Sequence, residues 1–122
     1  MITYRINGPL LEVTGVGVYT TEDVDAMYVA AKNDPALPIP TLLLVDIRES
    51  EMVHTFSDVR DRLRVLEKHL GLIMAPYIAF VVSGVARDRL AQLYKARAAA
   101  AAEVQVEIFN DPEAAREWLL SR

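Results

Sequence analysis

Apolar and polar residues alternate in the first part of the chain. Leu11 and Val13 are each followed by a polar residue, and this alternation is typical of a strand that buries one face. A turn-forming tripeptide at residues 7–9 (Asn-Gly-Pro) separates this segment from an earlier β-prone one. The pattern therefore predicts an N-terminal β-hairpin over residues 2–7 and 10–19.

Three later segments, at residues 41–47, 77–82 and 104–109, are apolar on both faces. A strand without alternation is typically covered on both sides, as in a parallel sheet that has helices packed over it. Helix-forming segments separate these strands, which is the order of an α/β protein. We expect an α/β fold in which the hairpin is followed by βα repeats, with a mixed, largely parallel five-stranded sheet and right-handed crossovers.

Four amphipathic segments are predicted to form the helices. Thr20 and Asp23 have the spacing of a capping box at the start of the first helix, and the second helix opens at residues 55–58. The third is expected from about residue 85 to 101, and the last begins near Pro112. The residues predicted to face the core are Val24, Met27, Tyr28 and Ala31 in the first helix, Val59, Leu63, Leu66 and Leu70 in the second, Leu90, Leu93 and Tyr94 in the third, and Trp118 and Leu119 in the last.

The composition indicates one globular domain. The chain has 122 residues, a typical length for a single domain, and we predict one domain over residues 1–122. It is 52% hydrophobic and 25% charged, which argues against a disordered chain. There are no cysteines, so disulfides, thiolate metal ligands and cysteine nucleophiles are excluded. Because the apolar segments are too short to cross a membrane and no signal peptide is recognised, we expect a cytoplasmic protein without a transmembrane segment.

The charges are unevenly distributed along the chain. The formal net charge is −4, which argues against nucleic acid as a partner. Basic residues are concentrated between Arg60 and Arg97, whereas both ends of the chain are acidic. One interpretation is that these charges form the solvated faces of helices. The other is that the basic part forms a face for an anionic partner or ligand. Because the acidic and basic regions are complementary, we also predict a homodimer, which should weaken with added salt if charge contacts dominate.

The start of the chain, MITYRINGPLLEVTG at residues 1–15, resembles that of the bacterial STAS/SEC14-like proteins, also called the SpoIIAA-like family. The strand that ends at residues 45–48 (Val-Asp-Ile-Arg) resembles the central strand of the family, and the final strand and helix through residues 110–119 are similar as well. The resemblance spans essentially the whole chain. It implies a SpoIIAA/STAS-like fold.

Relatives of this family suggest two kinds of function. The anti-sigma antagonists are non-enzymatic protein-binding switches controlled by serine phosphorylation, whereas SEC14-like domains bind lipids in an apolar pocket. The resemblance therefore implies a non-enzymatic interaction or regulatory module. The alternative is a small-ligand or lipid-binding protein with an apolar pocket. Candidate lining residues are Met27, Met52, Met74 and Tyr94, although methionines also fill irregular gaps in a core.

Polar residues at the ends of two predicted strands form the candidate site. Ligands of open α/β sheets bind at the carboxyl ends of the strands. An anion, either a carboxylate or a phosphate, is expected to meet two arginines and the free amides of a helix there. The alternative is that these residues form only a local cap, an ion pair and a turn. The candidate residues are Asp46, Arg48 and Ser50 after the first strand and Ser83, Gly84 and Arg87 after the second.

Ser50 lies close to the position of the phosphoserine in the anti-sigma antagonists, but residues 46–51 lack the Asp-Ser-Ser/Thr-Gly turn of those proteins. A phosphate between Glu49 and Glu51 would meet like charges unless an arginine compensated them, so a solvated loop is the alternative. The two histidines, His54 and His69, have no partner at ligand spacing and are interpreted as surface or helix-end residues. The sequence has no recognised nucleophile, acid–base pair or set of metal ligands. We therefore expect that the protein is not an enzyme and binds no cofactor.

Overall fold

The computed structural model describes residues 1–51, 61–62, 64–69, 76–84, 88–89, 91–93, 95–96 and 104–122. The strands are β1 (Ile2–Asn7), β2 (Leu10–Gly17), β3 (Leu42–Ser50), β4 (Tyr77–Val81) and β5 (Gln105–Phe109). The helices are α1 (Thr21–Lys32), α2 (helical residues 61–62 and 64–69), α3 (helical residues 88–89, 91–93 and 95–96) and α4 (Pro112–Leu120).

The five strands form one sheet in the order β1-β2-β3-β4-β5. β1 and β2 are antiparallel and form the predicted hairpin, with Asn7 opposite Leu10 at its closed end. The β2–β3, β3–β4 and β4–β5 pairs are all parallel. The predicted mixed, largely parallel five-stranded sheet of an α/β fold is confirmed.

Both faces of the sheet are covered, which explains why the central strands lack alternation. The larger core lies between one face and residues of α1, α2 and α3, and it contains the fully buried side chains Leu11, Leu43 and Ile78. The opposite face packs against α4, where Ala115 and Leu119 are also fully buried. In β4 every residue from Ile78 to Val81 is buried, because neighbouring residues face different cores.

The capping box at the start of α1 is present as predicted. The Thr20 hydroxyl accepts a hydrogen bond from the Asp23 amide at 3.1 Å, and the Asp23 carboxylate accepts one from the Thr20 amide at 2.9 Å. All four residues predicted to face inward from this helix are buried. At the start of α4 the Asp111 side chain accepts from the amides of the first turn, next to Pro112.

Two details differ from the sequence prediction. The ends of β2 and β3 are shifted: β2 stops at Gly17, two residues before its predicted end, whereas β3 continues to Ser50, three residues beyond its predicted end, because Gly17 pairs with Ser50. In α3 the prediction for Leu93 is wrong: its side chain is 47% exposed, and Ala91 is fully buried instead. An alanine at the contact allows the helix backbone to approach the sheet closely, and Leu93 then lies on the far side of the helix.

Several other predictions concern residues outside the part of the chain that the structure describes. They include the opening of the second helix at residues 55–58 and part of the third helix. Leu66 is described and is buried in the larger core, as predicted. The remaining predicted core residues outside the described ranges are Val59, Leu63, Leu70, Leu90 and Tyr94.

Candidate functional site

The carboxyl end of β3 brings together three of the predicted site residues. Both oxygens of the Asp46 carboxylate accept hydrogen bonds from the Arg48 guanidinium, from Nε at 3.0 Å and from Nη2 at 2.8 Å. The Ser83 hydroxyl donates to the Arg48 carbonyl oxygen at 3.0 Å, and Gly84 follows with a φ of 84°, which favours glycine. Arg87 lies outside the described residues. The arrangement contains the local ion pair that the alternative interpretation of this site predicted.

The charge of Arg48 is compensated by its surroundings. Hydrogen bonds with Asp46 are the largest effect and raise the pKa of the Arg48 guanidinium above its usual value. Burial, the second-largest effect, opposes this rise, and the nearby charges of Asp46, Glu49 and Asp111 add to it. An incoming anion would therefore compete with a carboxylate that already occupies the guanidinium fork. The anion site of Arg48 and Arg87 stays a prediction.

Ser50 is buried, with only 1% of its surface exposed, and does not lie in a solvated loop. Its hydroxyl is 2.7 Å from the Tyr19 hydroxyl and donates to the Gly15 carbonyl oxygen at 3.2 Å. Gly15 makes this contact possible, because a Cβ at that position would lie 2.5 Å from the Tyr19 hydroxyl oxygen. A kinase would reach Ser50 only after this end of β3 had opened. Phosphorylation of Ser50 also stays a prediction.

The outer edge of β1 has no neighbouring strand among the described residues. The Val16 amide donates to the Met1 carbonyl oxygen at 2.7 Å, so the hydrogen-bonded pairs of the hairpin fall at every second residue from Met1 onward. The backbone amides and carbonyls of the intervening residues, Ile2, Tyr4 and Ile6, therefore point away from β2. Their side chains lie on the face of the sheet that packs against α1, α2 and α3, and they are half-buried.

A groove follows this edge between β1 and α1. Its floor and walls are mainly apolar or small, and its polar lining residues are Thr3, Tyr4 and Asp23. Ala26 and Ala30 lie on the α1 side, where a larger side chain would fill the groove. Met27, predicted as a pocket residue, lines this groove and is buried in the larger core, whereas Met52, Met74 and Tyr94 lie outside the described residues.

Two buried polar side chains on α2 were not predicted. Arg62 and His69 are 9% and 0% exposed. His69 was interpreted as a surface or helix-end residue: it is not on the surface, but it is the last described helical residue of α2. His69 Nε2 lies 2.7 Å from the Asp25 carboxylate, and its ring stacks on Tyr28 with 5.4 Å between centroids. The spacing of residues 62, 66 and 69 places both polar residues on the same helix face as Leu66, and this was the available signal. His54 lies outside the described residues.

A solved structure has the same architecture. It is the crystal structure of an uncharacterised DUF3478-family protein from Shewanella loihica PV-4, described as having a SpoIIAA-like fold. The two chains are 21% identical and superpose with a TM-score of 0.64, over 98% of this chain and 92% of the other. This chain has a SpoIIAA-like fold. No protein-family model and no curated protein matches it.

The SpoIIAA-like fold confirms the resemblance that the sequence showed at its start, central strand and final helix. At 21% identity the likeness concerns the fold, and function has to be argued from the sites. Among the described residues, no helix is both long and apolar enough to cross a membrane. The same part of the chain contains no cluster of three or more histidine, aspartate or glutamate side chains that could hold a metal ion.

Proposed function

We propose that this protein is a non-enzymatic interaction module that associates with a second copy of itself through the outer edge of β1. The observation that carries the proposal is the row of outward-pointing backbone groups at Ile2, Tyr4 and Ile6 beside a largely apolar groove. An added strand would satisfy these groups, and its alternate side chains would enter the groove.

The edge is complementary to itself in an antiparallel arrangement. If Tyr4 faces Tyr4 of the second copy, Ile2 faces Ile6 and all three residues become hydrogen-bonded pairs. The two copies then form a continuous ten-stranded sheet, and these side chains meet on its face that packs against α1, α2 and α3. On the other side, Thr3 of each copy faces Arg5 of the other. A two-fold axis through Tyr4 generates the whole interface, as in the symmetric dimers that are the commonest soluble assemblies.

The sequence of β1 leaves this edge unprotected. Natural edge strands are commonly blocked by prolines, bulges or several charges, whereas β1 has six residues in regular register and one charge, on Arg5. The Arg5 guanidinium is drawn toward β2 by an ion pair with Glu12 at 2.9 Å. By contrast, β5 at the other end of the sheet carries Glu107, which pairs with Lys95 of α3 at 3.2 Å. The β1 edge is therefore the better surface for strand addition.

Catalysis has no support from the polar groups that the structure describes. Three of their carboxylates are engaged in ion pairs, Asp46 with Arg48, Glu12 with Arg116 and Asp25 with His69. An interaction module needs no further chemistry.

Charge changes at Thr3 test the proposed pairing. Thr3 is exposed, so Thr3→Lys and Thr3→Glu should leave the monomer folded. Because a lysine would face Arg5 of the second copy twice in the dimer, Thr3→Lys should raise the dissociation constant roughly two- to thirtyfold, and Thr3→Glu should lower it. Sedimentation equilibrium measures both constants. The matched control is Thr14→Lys, on the same face but one strand further from the edge.

Two results would contradict this proposal. The first is a parent protein that stays monomeric at high concentration, and the second is an equal response to lysine and glutamate at Thr3. A salt titration distinguishes association through the β1 edge from association between the complementary acidic and basic regions, which the sequence suggested. Backbone pairing and apolar contacts depend little on salt, whereas association between the acidic and basic regions would weaken steeply.

A further inference from the structure

A small cavity lies on the face of the sheet that packs against α1 and α2, toward the carboxyl ends of β2 and β3. Its volume is about 40 Å³, while one water molecule needs roughly 10–15 Å³ on the same measure. The cavity therefore has room for a group of a few heavy atoms but not for a lipid tail. Its walls are mostly apolar and include Val24 and Tyr28 of α1, Val45 and Ile47 of β3, and Phe80 of β4.

Arg62 of α2 is the one cationic side chain among the described residues that line this cavity. Its side chain is 9% exposed, and therefore 91% buried, and its Nε has no hydrogen-bond partner. Nη2 donates to the Tyr19 carbonyl oxygen at 2.9 Å, and the guanidinium carbon lies 4.8 Å from the centroid of the Tyr19 ring. These two contacts fix the guanidinium but leave a buried donor unsatisfied, which is costly.

Three other arginines of this chain have anionic partners. Arg5, Arg48 and Arg116 each contact a carboxylate at 2.8–2.9 Å, although all three are more exposed than Arg62. For Arg62 no such contact exists within the described part of the molecule. A buried cation without a counter-ion, beside an empty space, is the arrangement that an anionic ligand would complete.

We propose that this cavity binds a small monocarboxylate, an acid with a short alkyl tail. The planar carboxylate accepts a hydrogen bond from Arg62 Nε, a geometry that suits the guanidinium fork. The alkyl tail lies against Val24, Val45 and Phe80 and buries apolar surface. Phosphate and sulfate fit less well, because their additional oxygens would face apolar walls that offer no donors. This binding site shares only the side chain of Ile2 with the groove along β1, and binding does not require self-association.

Thermal unfolding with a series of sodium salts tests the proposal. Acetate, propionate and butyrate should raise the melting temperature relative to chloride at equal ionic strength, since a ligand that binds only the folded state stabilises it. Propionamide, which has the same shape as propionate without the charge, should have no effect. Octanoate should bind less well than butyrate if the ligand is a free short acid. A response that grew steadily to octanoate would overturn the small-acid assignment.

Two arginine variants on the same helix locate the effect. Arg62→Met keeps the apolar stem without the charge and should abolish the propionate response, whereas Arg64→Met, at an exposed position of α2, should preserve it. In the parent protein, propionate should also show magnetisation transfer to the methyl groups of Val24 and Val45. This second measurement decides the question even if Arg62→Met does not fold. Equal propionate stabilisation in both variants, or no transfer to these methyls, would overturn the proposal.

Discussion

Glu12 provides a test of how this fold depends on pH. This carboxylate is 6% exposed and accepts hydrogen bonds from Arg5 Nη2 at 2.9 Å and from Arg116 Nε at 2.8 Å. Burial alone raises the pKa of Glu12, but hydrogen bonds from Arg5, Arg116 and Asn7 outweigh burial, and the pKa ends below its usual value. The two arginine contacts connect β1, β2 and α4.

Glu12→Gln should reduce the free energy of unfolding by about 1–3 kcal/mol at pH 7. A hydrogen bond to a charged group contributes about 1.5–3 kcal/mol. Two effects limit the loss, because the glutamine retains one acceptor oxygen and because Arg5, which is 70% exposed, is hydrated by water when it is released. Glu113→Gln is the matched control, because Glu113 also contacts Arg116 at 2.8 Å but is 75% exposed. Its cost should stay below about 0.5 kcal/mol.

The pH dependence has a defined sign. Since the folded pKa of Glu12 lies below the unfolded one, the carboxylate stabilises the folded state fully above the unfolded value of about 4.3 and progressively less as the pH falls through the folded value. The difference between parent and Glu12→Gln should therefore be constant near neutral pH and shrink below about pH 4.3. Urea unfolding at several pH values measures it. A difference that does not change with pH, or an equal cost for Glu113→Gln, would refute this reasoning.

Three further changes have defined outcomes. Leu66→Ala should cost about 2–5 kcal/mol in a chemical melt, because Leu66 is 7% exposed in the larger core, and a cost below about 0.5 kcal/mol would place it in solvent. Gly15→Ala should destabilise by at least about 1 kcal/mol, because the added Cβ would lie 2.7 Å from Ser50 Oγ; an unchanged melting temperature would contradict this close contact. Arg87→Ala should abolish stabilisation by phosphate or sulfate if the predicted anion site exists, and equal stabilisation of variant and parent would exclude Arg87 from it.

The fold was predictable because its signals are local. The apolar runs in β3 and β4 indicated strands covered on both faces, and Thr20 with Asp23 marked the start of α1 from four consecutive residues. The convergence of Asp46, Arg48 and Ser83 also followed, because parallel neighbours end at the same edge of a sheet. The buried environment of Ser50 could not be predicted from the sequence, because it depends on how far β2 continues alongside β3.

The buried polar residues of α2 illustrate the limit of such reasoning. A helix pattern treats arginine and histidine as solvent-facing, and only their spacing from Leu66 indicated otherwise. Their burial depends on distant partners, a carbonyl 43 residues away for Arg62 and a carboxylate 44 residues away for His69. No local pattern encodes these contacts. The residues that carry the binding proposal therefore became visible only in the folded molecule.

Ile2 connects the two proposed sites, because its side chain lines both the groove along β1 and the cavity beside Arg62. It is half-buried, so Ile2→Ala should cost about 1–2 kcal/mol of stability and should weaken both self-association and propionate binding. Thr3→Lys should weaken self-association alone, and Arg62→Met should remove propionate binding alone, since each side chain lines only one of the two surfaces. Sedimentation equilibrium and the propionate melting series, applied to all three variants, test this pattern. Because the shared wall is a single side chain, an Ile2→Ala variant that changes one property and leaves the other intact would show that the groove and the cavity are not built as described.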